Sequence, residues 1–436
     1  MTTRRVLVAV AALVAVAVVL LASLWAADLL GPQEQRVEKP VTFGDLMEPA
    51  KTEVISPAEA TATFRDRAPR WGDLREIRWY VPNAFTFSLT PKAFGSHVDG
   101  DEPRVNFSAA EFFLNNEVAK NADVTFTATG RRFAIHYMTT RRSDAMVWLD
   151  GRPVATKPFT GVGSRRGSVH HWIEITLPAS RAVKVRFAGP FVFCGVDHPA
   201  DESLKVTATP PPFTIGVVSD SMYETSLDPG SMSSSAAPTL STLTGFRVWN
   251  MAQGGTGYLN TGADPAIGQE FNLAGTTRFG SNERVEALAT APIDALLVNG
   301  SLNDGPPFSV AAHLDAVDRF LRAVEMRLPS LPIVLVGLEP MSTSKIPDVP
   351  TKHYLAMTRA LKSMAAEHDN VVGFIDPYTS NWFTGTGSSR KPRGDGNQDQ
   401  YIGRDGLHPN GAGQVFFQQH VVDQLRTLPV NPRDRR

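Results

Sequence analysis

Phe213-Thr-Ile-Gly-Val-Val-Ser-Asp-Ser221-Met-Tyr223 holds the most informative turn in the chain. Phe213 to Val218 is an apolar run with β-branched residues, long enough for a buried strand of a parallel sheet. Ser219-Asp220-Ser221 follows with small polar residues that can leave a strand and turn toward a helix, the position where open α/β sheets carry their chemistry. Serine and aspartate are also ordinary turn and cap residues, so this stretch alone leaves a nucleophile and a plain turn both open.

A serine nucleophile requires partners. A base must take its proton, a third group must orient that base, and donors must meet the developing oxyanion. Asp405-Gly-Leu-His408-Pro-Asn410 supplies a base and its orienter: Asp405 and His408, three residues apart in a turn before a helical pattern, can meet at one imidazole face. The other ring nitrogen is then left for Ser221. Donors come from two further strand ends. Phe246 to Asn250 runs into Met251-Ala-Gln-Gly254-Gly255-Thr-Gly257, where glycines let backbone N–H groups approach a ligand closely. Ala295 to Asn299 runs into Gly300-Ser-Leu-Asn303-Asp304, where Asn303 offers a side-chain amide. Taken singly, the glycine stretch reads as a turn and Asn303 as a loop cap.

In this order the four blocks resemble the SGNH hydrolases, the GDSL esterase and lipase superfamily, over about residues 211–427. The resemblance implies a three-layer α/β/α domain with a parallel sheet. It implies Ser221 as nucleophile and first oxyanion donor, Gly255 (or its neighbour Gly254) and Asn303 as the other donors, and the Asp405–His408 pair as orienter and base. No metal or organic cofactor is required for that chemistry. Ser219 and Ser301 stand where the family often has glycine, which bears on loop geometry more than on the reacting groups.

Ahead of this domain, short runs such as Val124 to Thr129, Arg132 to Met138, Trp172 to Leu177 and Ala182 to Phe187 alternate in polarity between turn residues. They predict a β-sandwich or jelly roll. A β-sandwich followed by an SGNH domain also resembles certain carbohydrate esterases that remove acetyl groups from polysaccharides, which is a resemblance of architecture. The arginine pairs Arg131-Arg132, Arg141-Arg142 and Arg165-Arg166 read as solvated strand ends, and Trp148 and Trp172 as core. His170 and His171, adjacent on a strand, point to opposite faces and are not expected to chelate together.

The sequence divides into an apolar segment over 1–30, a stalk or linker over 31–76, the sandwich over 77–209 and the catalytic domain over 210–436, with Pro210-Pro211-Pro212 at the junction. Arg4 and Arg5 precede Val6 to Ala27, uncharged and long enough to cross a bilayer, for which about 20 residues suffice. The arginines orient the N-terminus inside and the remainder outside. Leu24 and Trp25 do not suit a cleavage site, so an uncleaved anchor is expected in preference to a secretory signal peptide. Gly31 to Arg70 is rich in Pro, Glu, Lys and Thr without apolar period. Ser56-Pro-Ala-Glu59 within it carries a capping-box pattern.

At 436 residues the chain can bury more than one core, and a net charge of -1 gives no reason to expect a nucleic-acid partner. The single cysteine, Cys194, excludes an intramolecular disulfide and a multi-cysteine zinc site, and reads as a packing residue. His313, His353, His368 and His420 read as packing or surface histidines. The loops Thr225 to Ser235 and Asn381 to Gln400 are placed to shape a substrate site. Trp382 and Phe383 are candidates for lining an acyl or sugar pocket, with simple packing of the loop as the alternative. Asp395 and Asp399 lack a metal-binding spacing.

The function expected is a membrane-anchored, extracytoplasmic serine esterase acting on an O-acylated carbohydrate or glycolipid. The alternatives are an O-acyltransferase with the same triad and a catalytically silent polysaccharide-binding surface protein. Oligomeric state is left open by the sequence.

Overall fold

A computed structural model describes residues 40–88, 92–94, 104–106, 122–139, 143–163, 169–189, 192–209, 213–224, 236–262, 277–339 and 351–431. Val41–Arg436 forms one compact unit. The apolar run over 6–27, the Pro210–Pro212 junction, the Thr225–Ser235 loop and the arginine pairs at 141–142 and 165–166 lie outside the described residues. Among the described residues no helix is long and apolar enough to cross a membrane.

Five parallel strands build the C-terminal half. Thr214–Val218 lies between Arg247–Asn250 on one side and Ala295–Asn299 on the other, and Ile333–Val336 and Val371–Ile375 complete the sheet. Alternate side chains serve different cores. Ile215, Val217, Leu297 and Val334 pack on one face with Leu240 of helix Ala236–Thr244 and Phe417 and Val421 of helix Gly411–Leu425. Val218, Leu296, Val298 and Leu335 pack on the other with Val285 of helix Asn282–Thr290, Phe320 of helix Val310–Arg327 and Leu361 of helix Thr351–Glu367. This is the three-layer α/β/α arrangement. Strands buried on both faces must be apolar throughout, which is why they read as continuous runs in the sequence. Ser309 caps Val310–Arg327 by accepting from the Ala312 amide, and the following stripe Ala316, Val317, Phe320, Leu321 and Val324 turns inward at helical spacing.

The N-terminal half is a 12-stranded antiparallel network. Its two long strands, Ala122–Thr139 and Val169–Gly189, pair along their length with a register shift between Thr176 and Arg181. Both bend through two layers. In a straight strand the seven-residue step from Phe126 to Phe133 would cover about 23 Å, yet the two rings lie 6.4 Å apart. Tyr137 likewise reaches Phe187, with ring centroids 5.1 Å apart, although Phe187 is paired with Val124. The alternating runs therefore close on one aromatic core as a sandwich with shared strands.

The expected stalk over 31–76 requires correction from Val41 onward. Phe43 is fully buried against Phe213 and Phe246 of the C-terminal half. Val430 N donates to Val41 O and Phe43 N to Leu428 O. The chain then crosses over: Glu48 N and Ala50 N donate to Thr244 O and Thr242 O, while Lys51 N and Ile55 N donate to Gly151 O and Pro153 O of the sandwich. Thr61–Arg65 and Leu74–Arg78 are sandwich strands, paired with Val169–Gly189 and Val192–Pro199. The sandwich thus begins ahead of residue 77. Ser56 and Glu59 make their side-chain contact in a turn, not a helix, and Glu59 is held by Arg152 at 2.6 Å. A segment that binds through backbone groups and one aromatic side chain has no apolar period to announce it.

Candidate active site

Ser221 opens a single helical turn, Ser221–Glu224, just past the carboxyl end of strand Thr214–Val218. The strand order places that end between the loops after Arg247–Asn250 and Ala295–Asn299, which is the topological switch point of the sheet. The turn is fastened from below. Met222 N donates to Asp220 Oδ1 at 3.0 Å, Gln414 Nε2 donates to Met222 O at 3.1 Å and Asn250 Nδ2 to Tyr223 O at 2.7 Å.

Asp405 and His408 lie in the turn before helix Gly411–Leu425. His408 Nε2 is 2.7 Å from Ser221 Oγ, and His408 Nδ1 is 2.5 Å from Asp405 Oδ2. The other Asp405 oxygen accepts from Leu407 N and His408 N at 3.1 Å each, so local backbone fixes the carboxylate. Burial alone would raise the Asp405 pKa. The hydrogen bond and charge of His408 and the two backbone donors outweigh it and hold the carboxyl at about 2. An imidazole held on one side by a carboxylate and facing a serine hydroxyl on the other is a geometry for proton abstraction.

The glycine loop folds back on the strand that leads to Ser221, with Met251 N donating to Val217 O and Gln253 N to Ser219 O. Gly254 is buried, whereas Gly255 is half-buried with φ 73°. No hydrogen bond among the described residues uses the Ser221 or Gly255 amide, so each has an N–H to offer. Asn303 sits beside the same loop. Its Nδ2 donates to Thr256 O at 2.9 Å and, more weakly, to Asp220 Oδ2 at 3.3 Å. Ser301 Oγ lies 2.8 Å from both of those acceptors. Asp304 accepts from the Tyr258, Leu259 and Asn260 amides at 2.8–3.0 Å. The Asn-Asp pair therefore ties one strand-end loop to the other.

Two side chains unmarked by the sequence reading complete the frame. Arg284 is buried, with its guanidinium over the Phe279 ring, and donates to Ser219 O, Met251 O, Thr277 O and Thr256 Oγ1. It binds both walls of the site at once. Glu339, also buried, accepts from Asn299 Nδ2 at 2.8 Å. Burial, reinforced by the charge of Asp220, raises the Glu339 pKa to about 8.

Trp382 and Phe383 require correction as pocket residues. They are 6 % and 1 % exposed and pack on helix Gly411–Leu425, Trp382 against Phe417 and His420 and Phe383 against Phe416 and Phe417. Asp395 and Asp399 brace the same loop through Thr386, Arg393 N and Gly394 N. A cleft of about 400 Å³ between the halves, lined by Lys51, Trp148, Lys184 and Arg247 among others, belongs to the opposite end of the sheet, since Arg247 starts its strand.

A solved salicylyl-acyltransferase from a tetracycline biosynthetic pathway shares this fold at a TM-score of 0.51 and 15% identity, covering 83% of this chain and all of its own (100%). The chain has the SGNH-type fold. Other SGNH-type structures resemble it at lower scores. An acetyl xylan esterase from the rumen bacterium Butyrivibrio proteoclasticus has 13% identity and a TM-score of 0.49, with 81% and 98% of the two chains covered. A family two carbohydrate esterase from Clostridium thermocellum, in complex with cellohexaose, has 14% identity and a TM-score of 0.46, with 70% and 91% covered. No protein-family model and no curated protein matches this SGNH-fold chain.

Proposed function

We propose that the chain is a serine esterase that cleaves an O-acyl ester of a carbohydrate or glycoconjugate. The observation that carries this reading is the continuous hydrogen-bonded line from Asp405 through His408 to Ser221 Oγ. With its Nδ1 proton held by Asp405, His408 takes the serine proton at Nε2 as Oγ attacks the acyl carbon. The backbone N–H groups of Ser221 and Gly255 meet the oxyanion, and the Asn303 amide joins them by giving up its long bond to Asp220. His408 then returns the proton to the leaving sugar oxygen. In the second half-reaction it draws a proton from water, which frees the acid and restores Ser221.

An acylated carbohydrate suits the SGNH fold and the preceding sandwich, and solved structures of the same fold carry carbohydrate-esterase names. The uncharged run from Val6 to Ala27 behind Arg4 and Arg5 supports a membrane-anchored enzyme with its catalytic half outside the cell. A sugar hydroxyl in place of water in the second step would make the same triad an acyltransferase, the activity named for the neighbour at TM-score 0.51.

Release of acid from p-nitrophenyl esters and from an acetylated oligosaccharide tests the proposal. Ser221→Ala is expected to lower kcat by about 10³-fold or more while leaving the fold intact. Equal turnover in the folded Ser221→Ala protein would refute it. Acyl-enzyme formation followed by transfer to an added sugar, without release to water, would select the transferase. Saccharide binding with no labelling by a fluorophosphonate would select the silent binder.

A further inference from the structure

On the outer face of the sandwich, three neighbouring strands bring His136, His170 and Cys194 together. One donor atom from each lies within 4.8 Å of the other two, and His136 Nε2 meets His170 Nδ1 at 2.8 Å. His136 and Cys194 are buried and His170 is half-buried. His170 and His171 do point apart, as adjacent strand residues must. His171 faces Asp66 and Thr139, and His170 finds its partner across the sheet.

The local fold aims Cys194 at this pair. Phe193 is paired with Tyr137 and Gly195 with His136, so Cys194 is the extra residue of a β-bulge. Phe193 turns into the aromatic core, while Cys194 lies with Met138 and Val192 in a separate cluster. The bulge has a fixed shape: Gly195 has φ 141°, and a Cβ there would come within 2.3 Å of Ile77 O.

The imidazole of His136 is also held in place. Its ring stacks on Trp172, with centroids 4.4 Å apart and planes 16° apart. Trp172 Nε1 donates to Asp197 Oδ2 at 2.6 Å, and that oxygen lies 3.6 Å from His136 Nδ1. Asp197 thus acts on His136 through the indole it holds, and the stacked ring keeps His136 Nε2 turned toward His170. Two imidazoles and a thiol form a borderline-soft donor set that suits zinc or copper and not calcium or magnesium. An apolar packing cysteine would not need a bulge to turn it toward a histidine pair.

We propose that His136 Nε2, His170 Nδ1 and Cys194 Sγ bind one zinc-class transition-metal ion, with Trp172, held by Asp197, orienting His136 by stacking. The thiol proton passes to solvent as the metal–sulfur bond forms. Three protein donors leave one tetrahedral position for a further ligand. This site is separate from Ser221 and stands or falls independently of the esterase reading.

Titration of the chelator-stripped full chain with Co²⁺, followed by absorption, is the test. The expected result is about one ion per chain, a thiolate-to-cobalt charge-transfer band, and loss of that band when Zn²⁺ displaces the cobalt. Ser221→Ala is expected to load like the wild type. Cys194→Ser should abolish the band, and His170→Ala, at a half-buried position, should weaken binding by at least about tenfold. Absence of the band in wild-type protein with a native circular dichroism spectrum would overturn the proposal. A band that survives Cys194→Ser, or affinity unchanged in His170→Ala, would overturn it equally.

Discussion

Arg284 brings a guanidinium into the interior and gives it backbone carbonyls from both loops that frame Ser221. Its planar fork matches several acceptors at once, which a lysine ammonium cannot reproduce. Arg284→Lys is therefore expected to lower kcat more than it changes KM, with a fall in Tm seen in the same preparation. Nothing in the sequence marks this residue, because an arginine in a polar helix reads as solvated until a wall is built over it. The Asp405–His408 pair was legible for the opposite reason: its geometry is local, set by a three-residue spacing and a turn. Asp405 keeps its charge down to about pH 2, below the unfolded value of about 3.9. Its contribution to stability is thus fully present above the unfolded value and is lost as pH falls through the folded one. Asp405→Asn is expected to lower kcat by about 10²–10⁴-fold. In acid denaturation, its stability deficit should shrink as pH falls from about 4 toward 2.

At the scale of elements, the ends of the parallel strands collect buried acids. Glu339, just past Ile333–Val336, has a folded pKa of about 8, raised from 4.5. The shift is upward, so the neutral form is the one the fold favours, and stability is lost as pH rises from the unfolded value to the folded one. Glu339→Gln keeps an acceptor for Asn299 and removes the titration. Its stability relative to wild type is expected to rise between about pH 4.5 and 8, by roughly 1–4 kcal/mol, in denaturant melts at several pH values. The loop ahead of the Asp-His turn belongs to the same scale. Trp382 and Phe383 looked equally fit for a pocket or for packing, since an aromatic pair in a loop carries no period. Their contacts with Phe416, Phe417 and His420 assign them to support of the helix behind His408. Trp382→Ala is expected to cost about 3–5 kcal/mol of stability without changing the preference for acyl chain length. The parallel strands were readable as apolar runs. The bent sandwich strands were readable only as alternation, because their pairing depends on residues far apart in the chain.

For the molecule as a whole, the segment from Val41 to Ile55 matters more than its composition suggests. It hydrogen-bonds to the C-terminal half, then to the sandwich, and fills the floor of the parallel sheet with Phe43. Arg186 adds a second link, reaching from its sandwich strand to Thr242 Oγ1 and Pro238 O of helix Ala236–Thr244. Phe43→Ala is expected to destabilise the unit by about 3–5 kcal/mol, measured by chemical denaturation.

The position of that segment also decides which end of the parallel sheet it closes. Val41 enters beside Leu428 and Val430, just past the C-terminal end of helix Gly411–Leu425, whose first turn follows His408. Fifteen helical residues span about 22 Å, and Phe43 packs where the parallel strands begin, whereas Ser221 stands just past the end of Thr214–Val218. Val41 and Phe43 therefore seal the end of the sheet remote from Ser221, so the seam they close and the loops around Ser221 sit at opposite poles of the parallel strands.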